Sequence, residues 1–297
     1  MSERKIILGL LKKNTRFWVC LSLVLVIVIL ALIGPLVTPY KPNQPVVRDG
    51  KYLRSLPPTI EHMHLFGVDN LGYDVFAASV YGLRVSLSVG AIAAIVATVV
   101  GVILGLTAGY IGGWADLVID GATNVLLAMP PVFIMIMVGT FYIVGLGMPG
   151  RELQNILFLG CLIGLLSWHW TARAVRSQVA ALKVSDFIAI SRLSGNHPIK
   201  IIVKDVLPNI ASYILLVFVI QLANALSTAV TLEFLGIKAA EWSLFARVQQ
   251  WLQMGALITG VWWALFLPGV VIVMLIASLY IIVLALEEVF NPRLRRV

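Results

Sequence analysis

The stretch SDFIAISRLSGNHPIKIIVKDVLPN, residues 185–209, is charged, holds a glycine and a proline where a helix would turn, and has about the length of two short helices. Ser185 or Asp186 can cap an amino terminus, and FIAISRLS carries an apolar face. Gly195 has the backbone freedom to end that helix. Pro198 suits the first turn of a second helix, IKIIVKDVL, which is expected to stop at Pro208. Two short helices with a tight turn between them form a peg whose apolar side needs a cover. What flanks the peg decides the fold.

Both flanks are strongly apolar. The 297 residues are 60% hydrophobic and 12% charged, whereas a soluble domain is roughly 25% charged, and that balance puts the chain in a membrane. Runs long enough to cross the hydrocarbon as helices occur six times, near 17–37, 85–109, 120–144, 155–175, 210–232 and 262–286. Pro130 and Pro131 fall inside the third run, which reads as a kinked helix rather than a loop. The first run follows a basic leader and so competes with a signal peptide, but GPLVTPY after it lacks a small-residue cleavage pattern and favours a retained anchor. The expected fold is an all-α integral membrane protein of six spans, with the peg between the fourth and fifth. It divides into a leader and anchor (1–37), an external segment (38–84), a transmembrane core (85–286, with the peg region at 177–208) and a tail (287–297).

Positive charge sets the orientation. The first 16 residues carry five Lys or Arg against one Glu, and the segment 173–208 carries Arg173, Arg176, Lys183, Arg192, Lys200 and Lys204 against Asp186 and Asp205. Both belong on the cytoplasmic side, with residues 38–84, GLGMPGRE (145–152) and 233–261 outside and NPRLRRV (291–297) inside. The formal charge of +8 is thereby a topology signal and needs no nucleic-acid partner. The peg itself is either a coupling element or an amphipathic hairpin resting on anionic lipid.

Few residues invite chemistry. Cys20 and Cys161 lie in apolar runs without ligand-spaced partners and read as packing residues. His62 and His64 lack a third ligand, so no metal site is expected. Asp69, Asp74 and Arg84 are either an ionic set or the solvated charges of a short amphipathic helix on the outer leaflet; the second reading is the plainer one. Gly101, Gly105 and Gly109 recur every four residues, a spacing that lets another helix approach closely. Asp120, His169 and Glu287 stand near span ends, and the lack of a mid-membrane acid argues against an ion-coupled single-chain carrier. There is no GxxxxGK[ST], so this chain holds no phosphate loop of its own.

Several blocks together resemble one family. The peg is similar to the cytoplasmic loop of binding-protein-dependent ABC importer permeases, whose pattern is Glu-Ala-Ala, three residues, Gly, nine residues, Ile, one residue, Leu-Pro. Gly195, Leu207 and Pro208 match it, Arg192 and Asn209 fit its peptide-importer form, and Ala189, Ile190, Ser191 and Asp205 depart from it. HLFGVDNLGYDVFAASVYGLRVSLSVG (64–90), with Gly67, Asp69, Gly72, Asp74 and Arg84, resembles a block of dipeptide and oligopeptide permeases of the C-subunit type, with Tyr73 where an Arg is usual. GVILGLTAGYIGGWAD (101–116), LEFLGI (232–237) and FNPRLRR (290–296) resemble later blocks in the same order.

The resemblance implies a pore subunit that pairs with a second, related permease chain and with two ATP-binding subunits that hold ATP and Mg. A solute-binding protein sits outside, and the location is a bacterial or archaeal inner membrane. This chain binds no cofactor. Asp186, Ala189, Arg192, Gly195, Pro198, Lys200, Lys204, Leu207 and Pro208 are then the contacts to the ATPase, and peptides are the solute, with nickel chelates or oligosaccharides as alternatives.

Overall fold

The computed structural model describes residues 11–60, 63–142 and 151–290, and nearly all of these outside one end cap are helical. The leader residues 1–10, His62, most of GLGMPGRE and the NPRLRR tail lie outside the described residues.

Among the described residues, five helices are long and apolar enough to cross a membrane, and a sixth crossing exists if one bent pair is a single span. Helix α1 (Thr15–Val37) opens on Asn14, whose side chain accepts the Phe17 N–H at 3.1 Å. It is apolar on all sides, as a helix facing lipid should be. Helix α2 (Val75–Ile111) has 37 residues and is about 55 Å long, well beyond the hydrocarbon thickness. It starts ten residues before the expected span, because Asp74 caps it through the Ala77 N–H at 2.7 Å and Ala77, Ala78 and Val80 pack inward. The proposed surface helix in this region is therefore the first turns of α2, and the boundary at 84/85 has no break in the backbone. It ends at Gly112, φ +72°.

Helices α3 (Gly113–Ala128) and α4 (Pro131–Thr140) meet at 81°. That is a break, not the expected kink. Met129 and Pro130 both leave the helical region, at ψ 140° and 105°, because a residue before proline is driven out of it and here two prolines follow one another. Helix α5 (Glu152–Lys183) runs back along α2, followed by α6 (Asp186–Leu193), the single turn α7 (Pro198–Ile201), α8 (Leu207–Phe234), α9 (Leu244–Gln253) and α10 (Trp263–Phe290).

The second peg helix does not stop at Pro208. Residues Ile202–Val206 form a π turn and the chain runs on as one helical rod into α8. The wider turn, in which the Leu207 N–H reaches back to the Ile202 carbonyl, makes room for the Pro208 ring, and Asn209 Nδ2 donates to the Asp205 carbonyl at 2.6 Å.

Helix α2 is the axis, and its two ends carry different structures. At its amino end, residues 38–60, 63–74 and 237–262 fold into a cap whose Trp251 and Val261 pack on Val75, Ala78 and Ala264. The cap departs from an all-α chain in a hairpin of β1 (Val47–Arg48) and β2 (Lys51–Tyr52), turned by Asp49 and Gly50 at positive φ, and in two isolated β-bridges, Thr59–His64 and Val68–Asp74. At the carboxyl end, Leu106 and Tyr110 pack with Val175, Val179, Ile188, Ile201, Val206 and Ile210. That cluster seats the peg.

Candidate functional site

Local sequence shapes the two-helix element at the second end. Ser185 occupies the N-cap position of α6, but its hydroxyl donates backwards to the Leu182 carbonyl at 2.6 Å, and Asp186 puts a negative charge in the first turn, where the helix dipole favours one. Gly195, φ +74°, closes α6: its N–H reaches the Arg192 carbonyl and the Asn196 N–H the Ser191 carbonyl. His197 caps α7 and Pro198 fills its first position.

The element has two faces. Ile188, Ile201 and Val206 are fully buried against α2, α5 and α8. Val184 (85% exposed), Phe187, Ile190, Leu193 (88%), Ile199 and Val203 stand open on the other side. Asp186, Ala189, Arg192, Pro198, Lys200, Lys204 and Pro208 share that outer surface, and Leu207 is half-buried. Asp186, Arg192 and Lys204 make no ion pair among the described residues. Ser191 and Asp205, two positions where the loop departs from the family pattern, are brought together: Ser191 Oγ donates to Asp205 Oδ2 at 2.6 Å.

Beside the element an ionic clamp joins α3 to α5. Arg176 grips Asp116 with two bonds, Nε at 2.5 Å and Nη2 at 2.7 Å, while Arg173 donates to Asn124 at 2.7 Å and lies 4.0 Å from Asp120. Asp116, Asp120 and Asn124 form one face of α3 at four-residue spacing. Two of the cations that set the charge count, Arg173 and Arg176, thus serve partners 49 and 60 residues upstream, a pairing that no local pattern reveals.

The α2–α5 contact is built on glycines from both helices. A Cβ at Gly105 would lie 2.7 Å from the Ala172 carbonyl oxygen and 2.8 Å from Val175 Cβ; at Gly109, 2.8 Å from Val179 Cβ; at Gly101, 2.8 Å from the Trp168 carbonyl oxygen. Gly160 and Gly164 of α5 press in the same way on Ile92 and Val96. Gln221 of α8 ties in by donating to the Ser167 carbonyl and to Thr171 Oγ1.

The cap corrects the reading of its acids. Asp69 and Asp74 are each 1% exposed. Asp69 accepts from the Leu71 and Tyr73 N–H groups at 2.9 and 2.8 Å and from Trp251 Nε1 at 2.8 Å. Asp74 holds α2 and meets His64 Nδ1 at 2.8 Å, with Tyr40 stacked on the His64 ring. Burial pushes the Asp74 carboxyl above the usual carboxylate range, against the pull of the Ala77 N–H and His64. Gly67 and Gly72 are at φ +75° and +92°, and a Cβ on Gly72 would meet the Leu53 carbonyl oxygen at 2.8 Å. Arg84 belongs to neither acid. It lies exposed on a cavity of about 660 Å³ that Tyr81, Ser88, Glu152 and Trp242 also line, with Trp242 Nε1 donating to Glu152.

Two buried ionisable side chains near the cap were missed in the sequence. The Glu233 carboxyl, 1% exposed, lies beside the Ser86 and Ser243 hydroxyls and the N–H groups of Phe245 and Ala246. It therefore occupies the first turn of α9, where Ser243 makes no capping bond. Arg247 is sandwiched between the Tyr73 and Trp242 rings at 4.8 and 5.7 Å and donates to the Pro42 carbonyl. Burial draws its pKa down, partly offset by Asp69. An acid placed opposite a helix start eleven residues later is the signal that could have exposed Glu233.

Comparison with known proteins now decides the family. Residues 101–296 match the model of the binding-protein-dependent transport system inner membrane component. The chain belongs to that family. Residues 5–58 match a second model, the N-terminal TM domain of oligopeptide transport permease C. A dipeptide transport system permease protein of Bacillus subtilis is 31% identical over 290 residues, covering 96% of this chain and 84% of that one. A peptide transport system permease of Brucella abortus is 29% identical over 292 residues (96% and 90%). The dipeptide transport system permease protein of Alkalihalophilus pseudofirmus is 29% identical over 290 residues (96% and 88%). In this inner-membrane transport component the two-helix element, the glycine seam and the cap all fall within aligned regions of those models or relatives.

Proposed function

We propose that this chain is one permease subunit of an ATP-driven, binding-protein-dependent importer of dipeptides or oligopeptides. The observation that carries the reading is the open apolar face of the two-helix element, in a chain similar over 96% of its length to a dipeptide permease. Nickel chelates, oligosaccharides and ion-coupled transport by the chain alone are less well supported, because the relatives named above are peptide permeases.

In this reading the bent pair α3–α4 is one of six spans, the amino terminus and the two-helix element are cytoplasmic, and the cap faces the solute-binding protein. Phe187, Ile190 and Leu193 dock into an ATP-binding subunit, with Asp186, Arg192, Lys200 and Lys204 around them as charged contacts. ATP and Mg stay on two such subunits, and a second, related permease chain completes the pore. When the ATPase subunits close, α6 moves and α5 and α8 tilt with it, since α8 begins inside the element. The chain contributes docking, leverage and a pore wall and does no bond chemistry.

The test is reconstitution. Vesicles with both permease chains, the ATPase subunits, the binding protein and ATP on the element's side should accumulate labelled di- and oligopeptides. Accumulation by this chain alone on a sodium or proton gradient overturns the reading.

A further inference from the structure

The joint between α6 and α7 has little to stiffen it from outside. Gly195 is at φ +74°, and nothing lies within 4 Å of where its Cβ would be, so no side chain packs on the turn. Force on α6 would bend a free joint of this kind before it moved α8. Below the turn, however, polar side chains link the two arms. Lys200 Nζ donates to Asn196 Oδ1 at 2.7 Å, Asn196 Nδ2 donates to Ser191 Oγ at 3.1 Å, and Ser191 Oγ donates to Asp205 Oδ2 at 2.6 Å.

Every donor in this series points the same way, from a cation on α7 to a carboxylate in the π turn. Each bond polarises the next, and the series ends on opposite charges. It passes from α7 to the turn, across to α6 and back to the root of α8. Ser191, Asn196 and Asp205 are half-buried, so water competes with these bonds less than on an open surface. Ser191 and Asp205 are also two of the positions where the loop departs from the family pattern, which has Ala and Ile there. Two unusual residues, 14 apart in sequence, are each other's partner.

We propose that Ser191 and Asp205 are positioning residues that brace the two arms of the element, so that displacement of α6 by a partner reaches α8 rather than being lost as bending at Gly195. The partner is the ATPase of the importer reading, on which this inference rests. The apolar cluster of Ile188, Ile201 and Val206 seats the element on the bundle; the brace fixes the angle within it.

The brace and a purely structural role separate in a variant set: Ser191→Ala, Asp205→Ile, Asp205→Asn and the double Ser191→Ala/Asp205→Ile. Spin labels at Ala189→Cys and Leu215→Cys, in a background without Cys20 and Cys161, report the distance between α6 and α8 in the full-length chain in lipid nanodiscs. Solute uptake per ATP hydrolysed is read in the unlabelled reconstituted complex. The first two single variants leave one polar partner unpaired, and each should broaden the distance distribution and lower uptake per ATP about ten-fold. Asp205→Asn keeps an acceptor oxygen for Ser191 and should stay narrow and coupled. The double variant lacks the same link as each single and should be no better than the worse of them in either readout, whereas a loss caused only by an unpaired polar group would be relieved when both partners go together. Narrow distributions in Ser191→Ala and Asp205→Ile, or a double variant that regains wild-type width and coupling, overturn the proposal. If the widths keep the expected order but the wild-type complex moves no peptide, the brace stands and the substrate reading falls.

Discussion

Replacing Gly105 by alanine adds one methyl group at the tightest kind of contact in this fold. The new Cβ would sit 2.7 Å from the Ala172 carbonyl oxygen and 2.8 Å from Val175 Cβ, where carbon atoms pack at about 3.5–4.0 Å. One obstacle is backbone and the other a β-carbon, so neither can swing aside. The α2–α5 pair must open by roughly 1 Å, and Gly101 and Gly109, one turn away on each side, lose their contacts as it opens. Overpacking of this kind costs about 1–3 kcal/mol, and alanine returns about 0.5–1 kcal/mol through its better helix propensity. The net expectation is a loss of about 1–2 kcal/mol. Gly121→Ala is the matched control: it is also helical, with nothing within 4 Å of its Cβ position, and should gain about 0.4–1 kcal/mol. Thermal unfolding of both variants in detergent, followed by the fraction remaining monodisperse, should place Gly105→Ala roughly 2–6 °C below wild type and Gly121→Ala roughly 1–3 °C above it. Equal or raised stability of Gly105→Ala would refute the argument that this seam is closed by the absence of side chains.

Asp74→Ala removes the α2 cap and leaves His64 without its buried partner, which together should cost about 2–4 kcal/mol, whereas Asp74→Asn keeps the cap and should cost less in the same melts. Because the folded-state pKa of Asp74 is raised by burial, its stabilising contribution is complete below the unfolded value of about 3.9 and is lost as pH rises through the folded value. The melting temperature of wild type relative to Asp74→Asn should therefore climb as pH is lowered through that window, and a flat difference counts against a buried, raised carboxyl. Asp116→Ala and Arg176→Ala should each release α3 from α5, seen as faster proteolysis near Gly112–Gly113. The double variant should be little worse than either single, and additive effects would deny the clamp. Gly195→Leu has room for its side chain, so only the left-handed backbone resists it, at about 1 kcal/mol or more; the chain should insert and assemble normally while uptake per ATP falls, and wild-type coupling would count against a docked element.

The apolar runs made the long helices legible, since crossing hydrocarbon demands an unbroken run of about 20 residues and little else in a sequence mimics it. Gly195 and Pro198 likewise marked the turn of the two-helix element through backbone restrictions that act locally. What stayed hidden depends on distant partners. The start of α2 was lost because Arg84 breaks the apolar run, although the residue that starts the helix is Asp74, and the first turn behind it, Val75 and Ala78, is covered by Trp251 and neighbours some 180 positions away. Pro208 reads as a stop until the π turn before it is seen. Glu233 sits in an apolar block and looks like a loop acid; only the fold brings the first turn of α9 onto it.

The break between α3 and α4 has a consequence for where lipid can lie. In a continuous helix the carbonyls of Leu126 and Leu127 would accept from the N–H groups of residues 130 and 131, and both of those are prolines with none to give. An acyl chain offers no donor in their place, and an unsatisfied carbonyl in hydrocarbon costs several kcal/mol. If this segment lies at membrane depth, the flank that carries Met129 and Pro130 turns toward water or a neighbouring protein. At that depth two missing hydrogens would decide which flank of the chain boundary lipids can cover.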